Sequence, residues 1–446
     1  MINIGLPDFS INRLGKPNLD SPMHLSHVMD DFIANFVEDD ERILYDNTLS
    51  AIRESLKDGG DIPAFEAAGP RDKIYFNPKD TTAAIVTCGG LCPGLNDVIQ
   101  GLVQSLHFHY GVRRILGVRY GYKGLVEQSN LEPFVLAPKV VADIHDRGGT
   151  FLGSSRGPQP IDDMIDFLVN RGINILFTIG GDGTQRGALD LRDEIRKRGL
   201  DISIVGIPKT IDNDVMYVDK SFGFESAYSI AVNTLLSAHA EAFGEYNGVT
   251  IVKLMGRHSG FLAANATVAS GEVDFCLIPE IPFDFDSPKG FLASIENRVL
   301  QRHHAVVVVA EGAGQELMSS DSDVQQTDAS GNLKLADIGT YLHKRVKRHF
   351  EQKGIPAGVR YIDPSYIVRS LKATAVDRMF CLRLAQNAVH AAMSGRTGMI
   401  VGHWNSFFTH IPIEAAVSQR KQLDPESDLW LSVLESTGQP NRMIDC

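Results

Sequence analysis

A buried apolar run that stops abruptly at a glycine-rich turn is the feature that most constrains this chain. Residues 175–179 are apolar with β-branched members, which is typical of a strand buried on both faces. The turn GGDGT follows at residues 180–184. Its three glycines let the backbone approach a bulky anion, while one carboxylate stays at the C-terminal edge of the strand. This stretch therefore predicts a site for a phosphate chain and its metal.

A second strand end repeats this pattern. In VGIPKTIDND, at residues 205–214, a proline stops an apolar strand before a cluster of polar side chains. The helical pattern at residues 185–198 between the two strands predicts a right-handed βαβ unit, so both strand ends should open on one edge of the sheet. Asp and Asn at strand ends often serve only as helix caps or Asx turns. The expected convergence of Asp182, Asp212 and Asp214 with Lys209 favours a functional role over that alternative.

Composition limits the classes of partner. The chain has 446 residues and a formal net charge of -12, which argues against a nucleic-acid or anionic-membrane surface. Any phosphate must therefore meet a local group of basic residues. Five cysteines and the lack of an apolar signal-peptide core predict a reducing, cytoplasmic compartment. The longest apolar stretch, residues 305–310, is too short to span a bilayer.

Strand and helix patterns alternate from Thr82 onward, and a second set begins at Gly248. The pattern predicts an α/β protein with two Rossmann-like three-layer α/β/α domains, a cleft between them and an N-terminal extension. The expected boundaries are 1–78 for the extension, 79–223 plus about 370–415 for the first domain, and 224–369 plus about 416–446 for the second. Three local predictions accompany them: a helix at 43–56, an exposed insertion at 312–336 and a strand at 359–368.

Two further turns carry features of anion binding. The turn at residues 89–96 places backbone N–H groups and a helix N-terminus toward a ligand, but it fits neither a Walker A loop nor the dinucleotide fingerprint. Its glycines equally suit a plain tight turn. Arg156 follows a small-residue turn from which it can reach a phosphate, although a surface arginine is by default only solvated.

At residues 180–184, 208–214 and 255–257 the sequence resembles the 6-phosphofructokinase family. It looks most like the longer ATP-using branch of protists, plants and some bacteria, which is related to the pyrophosphate-dependent enzymes. The match runs from about Thr82 to Gly402, and the first 78 residues resemble the N-terminal extension of that branch more loosely. The resemblance implies phosphoryl transfer from Mg-ATP to the 1-hydroxyl of fructose 6-phosphate in glycolysis, by an allosteric homotetramer or dimer with shared sites.

The resemblance also implies roles for individual residues. Asp212 matches the general base that takes the proton of the sugar's 1-hydroxyl, and Asp182 matches the carboxylate that holds Mg²⁺. Positive charge around the transferring phosphoryl group would come from Arg156, Lys209 and Arg257. The nucleotide positions, in the first domain, are Gly89, Gly90, Tyr122, Arg156, Gly181, Gly183, Thr184 and Arg186. The sugar-phosphate positions are Thr210, Asp212, Asp214, Met255, Gly256, Arg257, Glu311, Arg360, Tyr366 and Arg369, with Arg360 reaching in from a neighbouring subunit.

Two positions depart from the family pattern. Tyr366 stands where many bacterial relatives have a histidine, and Gly248 lies near the place of an absent neighbour-subunit arginine, which bears on how the 6-phosphate is held. The phosphoryl donor depends on Gly183, where the pyrophosphate branch usually has an aspartate that would collide with an α-phosphate. Lys209 is compatible with either donor, so ATP is favoured.

Two other readings of the sequence remain open. One is a pyrophosphate-dependent fructose 6-phosphate 1-phosphotransferase, and the other is a non-catalytic sugar-phosphate sensor on the same scaffold. The sensor should have lost Asp182 or Asp212, and both are present. Lipid and NAD kinases also use a GGDGT turn, so the later motifs are what specify a phosphorylated sugar.

Overall fold

Buried strands form the centre of each of the two units into which the chain divides. The computed structural model describes residues 6–57, 62–318 and 334–445. The first unit comprises the described residues of 1–210, 215–223 and 371–419, and the second comprises those of 211–214, 224–370 and 420–446. The segment 211–214 thus belongs to the second unit although both of its flanks belong to the first.

Strands and helices alternate along most of the described chain. The strands are β1 (Asn12–Arg13), β2 (Leu19–Asp20), β3 (Arg42–Leu44), β4 (Ala64–Ala67), β5 (Lys73–Ile74), β6 (Thr82–Thr87), β7 (Arg114–Gly117), β8 (Phe134–Leu136), β9 (Ile175–Gly180), β10 (Ser203–Pro208), β11 (Gly248–Leu254), β12 (Phe275–Leu277), β13 (His304–Ala310), β14 (Val359–Ile362), β15 (Arg396–Thr397), β16 (Met399–Trp404) and β17 (Phe407–Pro412). The α-helices are α1 (Leu49–Lys57), α2 (Leu95–Gln104), α3 (Ile161–Asn170), α4 (Asp182–Lys197), α5 (Phe224–Phe243), α6 (Phe261–Ser270), α7 (Phe291–Arg302), α8 (Ile338–Lys353), α9 (Ser365–Ser370), α10 (Ala375–Met393), α11 (Ile413–Ala416) and α12 (Asp428–Thr437).

The first unit is built on a sheet with a parallel centre and antiparallel edges. Among the described residues it has nine strands in the order β3-β4-β17-β16-β10-β9-β6-β7-β8. Strands β16, β10, β9, β6 and β7 run parallel, whereas β8, β17, β4 and β3 pair antiparallel. Every residue of β6, β9 and β10 is buried, as expected for parallel strands that helices cover on both faces.

Helices cover both faces of this sheet. Leu176 of β9 and Ile204 of β10 share a hydrophobic cluster with Ile165 of α3 and Leu191 of α4. Because side chains alternate along a strand, Phe177 points to the opposite face. There α10 packs on β10 and β16 and against α2. This three-layer frame fixes the position of the carboxyl ends of β9 and β10.

The segment before residue 79 contributes strands to this sheet, since β4 pairs with β17 and β3 with β4. Glu66 of β4 is buried, forms an ion pair with Arg396 and is hydrogen-bonded to His410, and both partners lie far along the chain. These pairings join the N-terminal segment to the body of the first unit.

The second unit has a smaller sheet. Its described strands form a four-stranded parallel sheet in the order β12-β13-β11-β14. Val249 and Ile251 of β11 pack with Val307 of β13 and with Ile295 of α7 and Leu342 of α8. Helices α5 and α6 pack against each other and against β13. The prediction of an α/β protein is therefore confirmed.

Two local predictions are wrong. The helix predicted at 43–56 is a strand in its first residues, because Arg42–Leu44 pairs with β4. Helix α1 begins only after Asp46 accepts a hydrogen bond from the Thr48 N–H at 2.8 Å. The strand predicted at 359–368 ends at Ile362, because Pro364 cannot donate to a sheet and helix α9 begins directly after it.

The insertion predicted at 312–336 falls partly outside the described residues, at 319–333. Its described flanks are joined by Gln315, whose side chain donates to the carbonyl of Ala336 at 3.1 Å and accepts from its N–H at 3.0 Å. In the parts of the chain that the structure describes, the helices include none with the length and apolar character needed to cross a membrane.

Candidate active site

The turn after β9 leads straight into α4, whose first residue is Asp182. Thr184 packs so closely on Gly180 that a Cβ there would lie 2.2 Å from the threonine Oγ1. Gly183 differs, because it is exposed and a Cβ built on it would meet no other described atom within 4 Å. The dipole and unpaired N–H groups of a helix N-terminus favour a bound anion, and Gly183 leaves that approach open.

Asp182 lies at this N-terminus with its side chain 21% exposed. Its carboxylate is 3.1 Å from Nε of Arg186. The Nη2 of the same arginine donates to the carbonyl of Val417. Among the described residues, no three His, Cys, Asp or Glu side chains cluster as a metal site. The single carboxylate of Asp182 is compatible with Mg²⁺, which proteins often bind through one carboxylate, with phosphate oxygens and waters as the remaining ligands. A metal at Asp182 would compete with its ion pair to Arg186.

Lys209, the residue after β10, extends toward the turn that follows β6. Its side chain is buried, and its Nζ lies 3.6 Å from the point where a Cβ of Gly89 would stand. Its backbone N–H donates to the carbonyl of Gly180 at 3.0 Å. The first unit thus brings together the three chain segments that the sequence singled out after β6, β9 and β10.

The turn containing Arg156 is tied to the same place. The Gly89 N–H donates to the carbonyl of Ser155 at 3.0 Å, and Ser154 Oγ donates to the carbonyl of Gly89 at 2.6 Å. Gly89 has a φ of 83°, a left-handed conformation that favours glycine. Because its N–H is already used, Gly89 can offer a phosphate open space but no hydrogen bond. Gly90 beside it is half-buried, and Arg156 is exposed.

Tyr122 does not have the position expected of a residue that contacts a phosphate. Its ring is buried, its hydroxyl donates to the carbonyl of Thr184 at 2.7 Å, and a Cβ on Gly187 would lie 2.8 Å from the ring. Tyr122 therefore supports the first turns of α4. The sequence position alone gave no sign of which way this side chain points.

Asp212, the predicted general base, lies half-buried in the second unit, with its Oδ1 shielded from solvent. Burial, together with the nearby carboxylates of Asp214 and Glu311, raises the pKa of Asp212 to about 8. The backbone N–H of Arg257 and the charge of Arg420 act in the opposite direction. A carboxyl group with this pKa holds its proton more firmly than the ordinary carboxylate expected from the sequence.

Asp214 is fixed by an ion pair. Its side chain is 2.7 Å from Nη1 of Arg420, and its backbone carbonyl accepts a hydrogen bond from the Lys421 N–H at 2.9 Å. Thr210, the first residue of the same motif, belongs to the first unit, where its carbonyl accepts a hydrogen bond from Ser221 Oγ at 2.6 Å. Arg420 lies far from TIDND in sequence, and no local pattern marked it.

Two turns at the ends of β11 and β13 pack backbone to backbone. The Gly312 N–H donates to the carbonyl of Gly256 at 3.1 Å, and a Cβ on Gly312 would lie 2.0 Å from the carbonyl oxygen of Arg257. Met255 beside them is half-buried. Burial raises the pKa of Glu311, although Arg257 and Lys253 oppose the shift. The geometry therefore places Glu311 close to the MGR turn, as its sequence position predicted.

The remaining sugar-phosphate positions lie on β14 and α9. Arg360 forms ion pairs with Glu241 and Glu245 of its own chain. Tyr366 is 75% exposed, and the guanidinium carbon of Arg369 lies 4.6 Å from the centre of its ring. Tyr366 thus contacts Arg369 by a cation–π interaction, which needs only the aromatic ring.

Comparisons with known proteins identify the family. The model of the phosphofructokinase family matches residues 82–392. An ATP-dependent 6-phosphofructokinase of Amycolatopsis methanolica is 48% identical over 443 residues, which cover 98% of this chain and 96% of that one. Another, of Trypanoplasma borreli, is 48% identical over 372 residues, or 83% of this chain and 75% of the relative. The chain belongs to the phosphofructokinase family. The resemblance drawn from the three motifs is thereby confirmed.

A solved phosphofructokinase structure supports the fold. The pyrophosphate-dependent phosphofructokinase of Marinobacter aquaeolei aligns with a TM-score of 0.66, covering 82% of this chain and 93% of that one. Its sequence identity is 21%, so this likeness concerns the fold alone. It agrees with the prediction of two Rossmann-like domains.

Proposed function

We propose that the chain transfers the terminal phosphoryl group of Mg-ATP to the 1-hydroxyl of fructose 6-phosphate, giving fructose 1,6-bisphosphate and ADP in glycolysis. The single observation that carries the choice of donor is Gly183, with open space where a side chain would point. Curated relatives that are 48% identical and are named ATP-dependent support the same choice.

The donor side of the reaction is assigned to the first unit. Its turns after β6, β9 and β10 offer a helix N-terminus, Lys209 and the exposed Arg156 to a polyphosphate. These groups suit phosphoryl transfer, in which the protein mainly positions the substrates and stabilises negative charge on the equatorial oxygens. In this proposal Asp182 would hold Mg²⁺, which would neutralise phosphate charge, and Arg186, which now pairs with Asp182, would be available to the nucleotide.

The acceptor side is assigned to the second unit. Asp212 takes the proton of the 1-hydroxyl as the sugar oxygen bonds to the γ-phosphorus and the bond from that phosphorus to the bridging oxygen of ADP breaks. Arg257 stabilises the transferring group, while Asp214 and Glu311 bind sugar hydroxyls. Arg369 and Arg360 bind the 6-phosphate. The raised pKa of Asp212 suits a group that must end the step protonated.

Assembly and location complete the proposal. We expect a homotetramer or dimer in which Arg360 serves the site of a neighbouring copy, after exchanging its contacts with Glu241 and Glu245 for a phosphate. Sedimentation velocity with and without fructose 6-phosphate measures the assembly. A cytoplasmic location fits the four described cysteines, which are buried thiols rather than disulfides.

Initial rates with fructose 6-phosphate and equal concentrations of Mg-ATP or Mg-pyrophosphate test this proposal. We expect turnover with ATP at least ten times faster than with pyrophosphate. Faster turnover with pyrophosphate would assign the chain to the alternative donor. Binding of both substrates without product would assign it to the sensor class.

A further inference from the structure

Gln185, in the first turn of α4, is buried beneath the glycine-rich turn and only 3% exposed. Its side-chain Nε2 lies 3.2 Å from the carbonyl oxygen of Thr178, 3.1 Å from that of Gly180 and 3.4 Å from that of Ile207. Two of these oxygens belong to the end of β9 and the third to the end of β10. One carboxamide therefore bridges the ends of both strands.

The structure provides room for this side chain at one point of β10. A Cβ built on Gly206 would lie 2.2 Å from Oε1 of Gln185, so only glycine fits there without displacing the amide. The three carbonyls also fix the orientation of the amide, because a carbonyl oxygen turned toward them would be repelled. Gly206 leaves the space for this side chain, and the three carbonyl oxygens favour its NH₂ group. Both features match glutamine.

These hydrogen bonds of Gln185 lie at the two strand ends that Asp182 and Lys209 follow. The carbonyl of Gly180 accepts from Gln185 and also from the Lys209 N–H at 3.0 Å. Asp182 follows two residues after Gly180. Pro208, the last residue of β10, has no N–H with which to hold the end of the sheet itself. The Gln185 amide thus adds a side-chain bond at the strand ends, beside the backbone bond that Lys209 supplies.

We propose that Gln185 is a positioning residue: its amide holds the ends of β9 and β10 together so that Asp182 and Lys209 present a fixed geometry to the metal-bound nucleotide. This inference rests on the proposed function for the identity of that ligand. Gln185 acts through the backbone of these two turns and makes no contact with the reacting atoms. An error of about 1 Å in such a geometry can cost a hundredfold in rate, so a buried brace of this kind has a measurable effect on catalysis.

The test compares Gln185→Met and Gln185→Glu with a matched control. Both substitutions keep the length of the side chain, and methionine removes the NH₂ donors without adding charge. The control is Gln100→Met in α2 of the same unit, because the Gln100 Nε2 donates to the carbonyls of Val141 and Ala142 at 2.9 Å each, away from the three turns. It makes the same chemical change at another carbonyl-bridging glutamine.

Four quantities are measured for each variant: the melting temperature, the Kd of Mg-ADP and the Kd of fructose 6-phosphate by calorimetry without turnover, and the kcat/KM for Mg-ATP. We expect Gln185→Met to raise the Kd of Mg-ADP at least fivefold and to lower kcat/KM for Mg-ATP at least tenfold. The Kd of fructose 6-phosphate should stay within twofold. Gln100→Met should lower the melting temperature by a similar amount and leave both nucleotide quantities within twofold.

A Gln185→Met protein with nucleotide affinity and kcat/KM within twofold of the wild type would overturn the inference and make Gln185 an ordinary buried glutamine. An equal weakening of both ligands, or the same nucleotide loss in Gln100→Met, would also overturn it. If Gln185→Met does not fold, Gln185→Leu, which also removes the NH₂ donors without adding charge, carries the same comparison. Because the Kd measurements need no turnover, they test the bridge even if the wild type proves to use another acceptor.

Discussion

Replacing Gly183 with aspartate is expected to remove the use of ATP while preserving the fold. Gly183 lies in the first turn of α4, outside the left-handed region, with no other described atom within 4 Å of its Cβ position. A carboxylate near a helix N-terminus gains about 0.3–1 kcal/mol from the helix dipole, and replacing a helical glycine gains about 0.5–1 kcal/mol more. The variant should therefore be at least as stable as the wild type.

The loss of activity is expected to come from charge. Two like charges ~4 Å apart repel by about 4 kcal/mol at an effective dielectric constant of about 20, a separation that we assume for the new carboxylate and an α-phosphate. Since about 1.4 kcal/mol is a factor of ten, kcat/KM for Mg-ATP should fall about a thousandfold. Gly183→Asn adds the same volume without the charge and should lose only about tenfold, through crowding of about 1–2 kcal/mol.

The assay is the initial rate with Mg-ATP at saturating fructose 6-phosphate for the wild type, Gly183→Ala, Gly183→Asn and Gly183→Asp. Melting temperatures show that each protein is folded, and parallel rates with Mg-pyrophosphate show whether the altered site favours a smaller donor. A Gly183→Asp protein within threefold of the wild-type kcat/KM would place Gly183 away from the donor. Equal losses for asparagine and aspartate would refute the electrostatic reasoning and leave only crowding.

Four further predictions concern the second unit. Asp212→Asn should lower kcat at least a hundredfold with little change in KM, because a proton acceptor matters mainly in the transition state; a variant retaining a tenth of the rate would contradict the role of base. The same variant should gain stability relative to the wild type by up to about 1.4 kcal/mol per pH unit between pH 5 and pH 8, in urea unfolding; equal gains at both pH values would contradict it. The sign follows from the pKa of about 8: between about pH 4 and pH 8 the unfolded chain loses the Asp212 proton that the folded protein retains, so wild-type stability falls across this window. In kinetics, kcat/KM should rise about tenfold per pH unit below pH 8 and then level off, whereas a flat profile from pH 6 to pH 8 would mean that Asp212 titrates lower. Arg420→Met should destabilise the protein by about 1–3 kcal/mol by leaving the buried Asp214 carboxylate without this ion pair, and Asp214→Asn in the same chain should restore part of the loss.

The strands that carry the site were predictable because each is a short apolar run with a clear stop. Strand β11 begins at Gly248, where the second set was predicted to begin, and β9 extends one residue further than predicted. A glycine turn or a charged residue after a buried strand is a local signal, and parallel topology places all such strand ends at one edge of a sheet. This reasoning located the turns after β6, β9 and β10 without knowledge of their contacts.

Features that depend on partners distant in sequence were not predictable in this way. The edge formed by β3, β4 and β17 joins segments more than 300 residues apart, and its residues carry no strong periodic pattern. The direction of Tyr122 depends on the absence of a side chain at Gly187, and the bridge of Gln185 depends on the absence of one at Gly206. Sequence reasoning recognises a glycine as a turn more readily than as a space that another side chain fills.

The charge balance of the second unit connects stability with catalysis. Asp214 is buried and Asp212 and Glu311 are half-buried; burial together with the charges of Asp214 and Glu311 raises the pKa of Asp212, and burial raises that of Glu311. Burying such groups together costs folding free energy, which a protein selected only for stability would avoid. Arg257 and Arg420 reduce that cost without removing the shift at Asp212. The unit therefore favours a proton on Asp212 before any substrate binds. The ionised form of Asp212, whose share grows as the pH rises toward 8, accepts the proton of a sugar hydroxyl while the sugar oxygen bonds to phosphorus, and this returns the group to the state that the fold prefers.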